Sequence, residues 1–362
     1  MAITRIGNPA LADVREPNFR NIIINGDMSI AQRSTSVSSI TGNGYNTVDR
    51  FKHVISGLGT WTASQSTEVP TGQGFANSFK MDCTTADASP AAGDYNFICQ
   101  IVEGKNLQYL KKGTSSAESV TISFWVKSNK TGTYICEIFD GNNTRQISKS
   151  YTISASDTWE KKTITFPGDT SGAIGTSASA FLQFNFWLAV GSDRSSGTLS
   201  TTWTSTTNAN RAVGQVNLAD NTSNEWYITG VQIEAGTVAS EFEFLPADVN
   251  LTRCQRYFYT EPNTDSYHAV MNGFYPTTSL FIGVLNLPTT MFQTPSLTMS
   301  GTWMAAGTSD KTASNFTVND STGNDLNSIQ VRADVSSATA GQGANLRNGN
   351  DTSAKFQLSC EL

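Results

Sequence analysis

At 362 residues the chain has room for about two or three domains and for a core that needs no disulfide support. Charged residues are only 15% of it, against about 25% in ordinary soluble domains, and Ser, Thr, Asn and Gly fill the gap, which disfavours long exposed helices rich in Glu and Lys. A net charge of −6 without a Lys/Arg block excludes a nucleic-acid binder, which needs clustered cations against phosphate.

The first 20 residues, with Pro9 and Pro17, show no periodicity and read as an extended arm (residues 1–20). Ile3, Ile6, Leu11 and Val14 are its apolar positions, placed to dock on a neighbouring protein. The opening decapeptide lacks the apolar region of a secretory signal, and no apolar run approaches the ~18 residues of a membrane-spanning helix. The expectation is a protein made in a cytoplasm and not inserted into a membrane.

Strand signals begin at residues 21–25, a run of three isoleucines stopped by Gly26-Asp27. Residues 120–127 alternate strictly, with Val120, Ile122, Phe124 and Val126 on one face and Trp125 and Lys127 on the other. A run over 134–139 ends in Asp140-Gly141, which supplies the positive φ angles of a tight hairpin; either this run neighbours 120–127, or the turn reverses the chain into 145–153. Residues 162–166 alternate and close at Pro167-Gly168-Asp169. Residues 181–188 put Leu182, Phe184, Phe186 and Leu188 on one face, and 226–234 put Tyr227, Thr229, Val231 and Ile233 on one face. After Pro246, Asp248 is positioned to cap a short helix carrying Leu251, Cys254 and Phe258. Strands resume at 279–285, 296–300, 328–333 and 355–361, and the Gly-, Ala- and Asn-rich stretch 336–352 reads as loop. The fold class is all-β: a jelly-roll β-sandwich over 21–246, then a smaller β-sandwich-like domain over 247–362 after a short helical linker.

Several segments resemble a family of bacteriophage tail-fibre and related virion proteins with a carbohydrate-binding-module-like jelly roll. They are NIIINGDMSIAQR at 21–33, YNTVDRF at 45–51, SFWVKS at 123–128, WEKKTITFPGDTS at 159–171, ITGVQIEAGTVASEF at 228–242, LTRCQRYF at 251–258 and LPTTMFQTPS at 287–296. Their order and spacing over 21–300 carry the resemblance. It implies a structural protein of a phage particle, assembled in the host cytoplasm and located in the virion, with other tail or capsid proteins as partners. It also implies a homotrimer, since such fibres are commonly three-fold and strand edges need cover. The foremost reading is a tail-fibre subunit attached by its N-terminus and binding host-surface polysaccharide. The alternatives are a head fibre or decoration protein without receptor role, and a glycan depolymerase tailspike.

Catalytic machinery is not expected. His53 and His268 are the only histidines and stand far apart, and no nucleophile elbow, phosphate loop or metalloprotease motif occurs. Glu234, Glu241 and Glu243 cluster in sequence, but alternation explains Glu241 and Glu243 as outward residues beside Phe242 and Phe244. No cofactor and no metal is expected; five scattered cysteines lack ligand spacing, and Asp320 with Asp325 around Gly323-Asn324 reads as an ordinary turn before a Ca²⁺ site. Glycan binding needs an aromatic ring against a sugar's apolar face. Trp61, Trp203 and Trp303, each flanked by threonines or glycine, are the candidates, whereas Trp125, Trp159, Trp187 and Trp226 lie in strand patterns and read as packing residues.

Overall fold

A computed structural model describes residues 19–177, 179, 181–261, 263, 265–318 and 326–362. The chain divides into two compact units: the described residues up to 28 with 38–44 and 53–245, and 29–37 with 45–52 and 246–362. A cut at residue 246 therefore misses two N-terminal segments that fold with the second unit.

The strands up to Ala235 are β1 (Ser36–Ile40), β2 (Lys52–Ser56), β3 (Thr60–Ser66), β4 (Ser78–Thr85), β5 (Tyr95–Glu103), β6 (Val120–Ser128), β7 (Gly132–Asp140), β8 (Arg145–Ile153), β9 (Glu160–Phe166), β10 (Phe181–Val190), β11 (Thr204–Ser205) and β12 (Glu225–Ala235). They form two six-stranded sheets, β1-β3-β4-β12-β6-β9 and β11-β8-β7-β10-β5-β2. This is a jelly-roll sandwich. The alternation of β6 and β10 supplies its interior: Val120, Ile122, Phe124 and Val126 from one sheet, Leu182, Phe184, Phe186 and Leu188 from the other, all buried. Phe124 meets Phe186 and Tyr151 edge-on, each at 5.1 Å between ring centres. Each such ring contributes about 1.5–3 kcal/mol by leaving water. The β7–β8 hairpin turns over residues 141–144, directly after Asp140, but positive φ falls at Thr144 (+51°) and not at Gly141.

Two expectations fail here for tertiary reasons. Residues 21–25 are buried but form no strand; the segment bends so that Ile22 N–H reaches Ile233 O at 2.8 Å and the Asn21 side chain bonds Val231 O and Ile233 N–H at 3.0 Å each. Its docking point is a bulge in β12 between Thr229 and Gln232, where Gly230 takes φ +61°. The bulge moves the alternation by one residue. Tyr227 and Thr229, paired with Lys127 and Trp125, face outward, while Ile233, paired with Ile122, faces inward.

The second unit holds α1 (Ala247–Gln255), β13 (Phe258–Thr260), β14 (Ala269–Thr277), β15 (Leu280–Asn286), β16 (Ser296–Ser300), β17 (Trp303–Ala306), β18 (Asp310–Val318), β19 (Ser328–Asp334), β20 (Gly343–Asn348) and β21 (Lys355–Ser359). Six of these close into a barrel, β14-β15-β19-β18-β17-β20, and β13-β21-β16 form a separate sheet. Strand β20 lies inside the stretch read as loop. Its Gly and Asn content argues against a strand locally, but ladders to β14 and β17 on either side fix it. Pro246 occupies the N-cap of α1, and Asp248 sits in the first turn without a capping bond, where its charge still favours the helix dipole.

The motif residues of 29–33, 45–51 and 251–258 meet in a buried ionic clasp within this unit. Asp49 accepts from Gln32 N–H at 3.0 Å and from its side chain, which also donates to Phe258 O at 2.9 Å. Arg33 and Arg50 both bond Glu361. Arg33 lies 3.6 Å over the Phe258 ring and Arg50 3.5 Å over Tyr257. These residues hold chain segments together.

Candidate functional site

The three candidate tryptophans separate once placed. Trp61 lies in β3 and is fully buried, with its indole N–H donating to Leu58 O at 2.7 Å. Trp303 lies in β17, is 2% exposed, and donates to Ser300 O. Neither can offer a ring to a sugar, and both assignments are corrected: polar neighbours in sequence alternate outward while the indoles point into the cores. Trp203 remains half-exposed.

Trp203 is held from below. Its indole N–H donates to Pro167 O at 2.7 Å, and the Lys112 ammonium stands 5.1 Å from its ring centre. Lys112 is itself buried between Asp140 and Asp169, bonding the first, lying 3.0 Å from the second and donating to Gly172 O at 2.6 Å. Arg145 grips Asp169 with two parallel bonds of 2.7 and 2.8 Å. Asp140 also accepts Asn142 and Asn143 N–H at 3.0 Å and the Asn143 amide at 2.8 Å. Burial pushes the Asp169 carboxyl up, but hydrogen bonds from Arg145, Lys112 and Ser171 outweigh it and hold it below the usual carboxylate range.

The turns seen in the sequence build this arrangement. Asp140-Gly141-Asn142-Asn143 ends β7, Pro167-Gly168-Asp169 follows β9, and the two-residue β11 pairs with Gln146 and Arg145 of β8 to deliver Trp203. Gly113 is required where it is: its φ is +84° and a Cβ would stand 2.3 Å from Ala173 N. A rigid ring with a cation at its face suits a sugar's C–H face.

The outward face of the second sheet is closed instead. Glu137 is buried there, accepting from Asn185 at 2.8 Å, Trp187 at 3.1 Å and both arms of Arg211 at 2.8 and 3.0 Å. Arg211 comes from the 191–217 segment, which also bonds Ser148 and Gln146 of β8. Trp187 is fully buried under it, as a packing role requires. Trp125 and Trp159, also read as packing residues, are half-exposed. The missed signal was in the alternation, since Trp125 stands opposite in phase to Phe124 and Val126.

His53 is buried against Asn96 at 2.8 Å, and burial pushes it down to about 4, so it stays neutral at ordinary pH. His268 lies 3.4 Å from Glu261. Glu234 accepts from Gln232 and Ser240, and Glu243 from the backbone of Phe19 and Asn21. Among the described residues no group of three or more His, Cys, Asp or Glu is arranged to hold a metal. Asp320 and Asp325, like Ile3, Ile6, Leu11 and Val14, lie outside the described residues.

No family profile and no curated protein matches the chain. Among solved structures it is similar to the enzymatically active domain of bacteriophage CBA120 tailspike protein 4, at 14% identity and TM-score 0.32, over 60% of this chain and 21% of that one. It is also similar to the family 11 carbohydrate-binding module of Clostridium thermocellum in complex with a mixed-linked tetrasaccharide, at 16% identity and TM-score 0.27, over 56% of this chain and 100% of that one. A tandem of family 22 carbohydrate-binding modules from Paenibacillus barcinonensis matches at 10% identity and TM-score 0.25, over 92% of this chain and 98% of that one. Likeness at these TM-scores carries no functional argument, which rests on the geometry above.

Proposed function

We propose that the chain is a non-enzymatic structural subunit of a bacteriophage particle, a tail-fibre component whose first unit binds host-surface glycan at Trp203. The observation that carries the binding role is the half-exposed Trp203 ring fixed by Pro167 and the buried Lys112 ammonium. Fixing the ring before ligand arrives lowers the ordering cost of binding. The virion role is supported by the sequence resemblance over 21–300. The arm carrying Ile3, Ile6, Leu11 and Val14 attaches the subunit to the particle, and the subunit acts as a homotrimer. The absence of a catalytic role is supported by the carboxylates near Trp203, which are taken by Lys112 and Arg145, and by the neutral, enclosed His53.

A glycan array probed with the full-length protein tests the reading. Binding to bacterial surface polysaccharides is expected, weakened about tenfold in Trp203→Ala, which corresponds to about 1.4 kcal/mol. Signal unchanged in that variant refutes the site. Immunogold labelling of intact particles tests the location, and particles that carry no label refute the virion role.

A further inference from the structure

Among the described residues, one tryptophan side chain has no polar, ring or cation partner. Trp61, Trp203 and Trp303 donate to backbone carbonyls, Trp187 bonds Glu137, and Trp159 and Trp226 pack on Tyr227 and Phe186. Trp125 is half-exposed on the outward face of β6 and, among the described residues, its side chain makes no hydrogen bond, ring contact or cation contact. Its neighbours are set by register: Thr229 of β12 on one side and Lys161 of β9 on the other. Thr229 is buried and its hydroxyl donates to Asn77 O at 2.7 Å, so that side is closed.

The β9 side is open. β9 ends the sheet, so no strand lies beyond it. Lys161 is exposed and forms no ion pair among the described residues, whereas Lys80, Lys127 and Lys162 on the same sheet hold Glu225, Glu68 and Glu160. Thr163, the next outward residue of β9, is exposed opposite Ser123. Directly paired side chains stand about 5 Å apart at Cβ and diagonal ones about 7 Å. An unengaged indole, an unpaired ammonium and a free hydroxyl thus share a patch about the width of one pyranose.

We propose that this patch binds a carboxylate-bearing saccharide unit, with the uronic acid ring on Trp125, its carboxylate at Lys161 and a hydroxyl at Thr163. The C–H hydrogens of a pyranose carry partial positive charge and suit the negative face of the indole. The ring alone would take neutral and acidic sugars equally. Lys161 makes the distinction: on a chain of net charge −6 a polyanion is repelled at long range, and an uncompensated local cation offsets this. The inference rests on the glycan-binding reading but uses none of the residues around Trp203.

The test is calorimetric titration of the full-length protein with an oligogalacturonate and with a neutral cello-oligosaccharide of equal length. The acidic probe should bind at least about two- to fivefold more tightly, an advantage lost in Lys161→Met and in about 0.5 M salt. Trp125→Ala, with an unchanged melting curve, should remove the binding, and Trp203→Ala should leave it intact. Equal affinity for the two probes, unchanged affinity in Trp125→Ala, or no binding of either probe overturns the proposal. Loss in Trp203→Ala alone assigns the acidic glycan to the Trp203 site and likewise overturns it. Because the array signal at Trp203 is read separately, it stands or falls independently.

Discussion

Replacing Lys112 by Met tests whether the buried ion cluster is what holds the Trp203 platform. The substitution keeps length and volume but removes the ammonium from between Asp140 and Asp169, whose side chains are 0% and 2% exposed. Asp169 retains Arg145 at 2.7 Å, whereas Asp140 keeps only the Asn142 and Asn143 donors and faces a like charge. Breaking a buried ion pair from one side costs about 3–5 kcal/mol, because the surviving carboxylate is left in a low-dielectric site without its counter-charge. Six of the seven tryptophans lie in the first unit, so fluorescence during urea unfolding reports mainly on that unit. With a urea slope of about 2–3 kcal/mol/M, the midpoint should fall by about 1–2 M. In Lys112→Met/Asp140→Asn the stranded charge is gone, and at least half of the loss should return. A single variant that unfolds at the wild-type midpoint, or a double variant no better than the single, refutes the argument that the cluster is stabilised by charge compensation.

Acid should act on the two units in opposite directions. His53 takes its proton near 6.5 when unfolded but near 4 when folded, so the first unit is at full stability above pH 6.5. It should lose about 2 kcal/mol between pH 7 and pH 5, read as a falling urea midpoint that His53→Gln flattens. Asp49 is pushed by burial from 3.8 up to about 6, against hydrogen bonds from Gln32 and the attraction of Arg33. Its contribution is therefore greatest below pH 4 and falls by about 3 kcal/mol as pH rises through 6. Hydrogen exchange of peptides from 246–362, corrected for intrinsic rate, should show more protection at pH 5 than at pH 7, and Asp49→Asn should abolish the difference. Gly26→Ala would place a Cβ 2.1 Å from Val231 O at the β12 bulge; a loss of about 3 kcal/mol or more is expected, comparable to other severe backbone clashes. An unchanged melting temperature would count against the docking of the 21–26 segment.

The sequence by itself determined the class and much of the first interior. Strict alternation in β6 and β10 names the residues that face the interior between the sheets because the side-chain period of a strand is two whatever its neighbours are. Asp140-Gly141 and Pro167-Gly168-Asp169 mark turns because such residues favour turns locally, although positive φ in the β7–β8 turn falls at Thr144 and not at Gly141. The edge-strand argument transferred less well. Charge is scarce overall, yet β9, at one edge of the first sheet, carries Glu160, Lys161 and Lys162, β11, at one edge of the second sheet, is two residues long, and the barrel has no edge.

What tertiary structure alone decided are the features fixed by residues far apart in the chain. The bulge in β12 depends on a segment some 200 residues earlier, and it set which way Tyr227 points. Strand β20 exists because two neighbours supply its hydrogen bonds. Trp61 and Trp303 shared polar surroundings with Trp203, but exposure depends on which side chains arrive from other strands, and these two arrive in filled interiors. Lys112, Asp140, Asp169 and Trp203 carry no local pattern that joins them. The three charges are compatible with burial only when they converge, and convergence is a property of the fold.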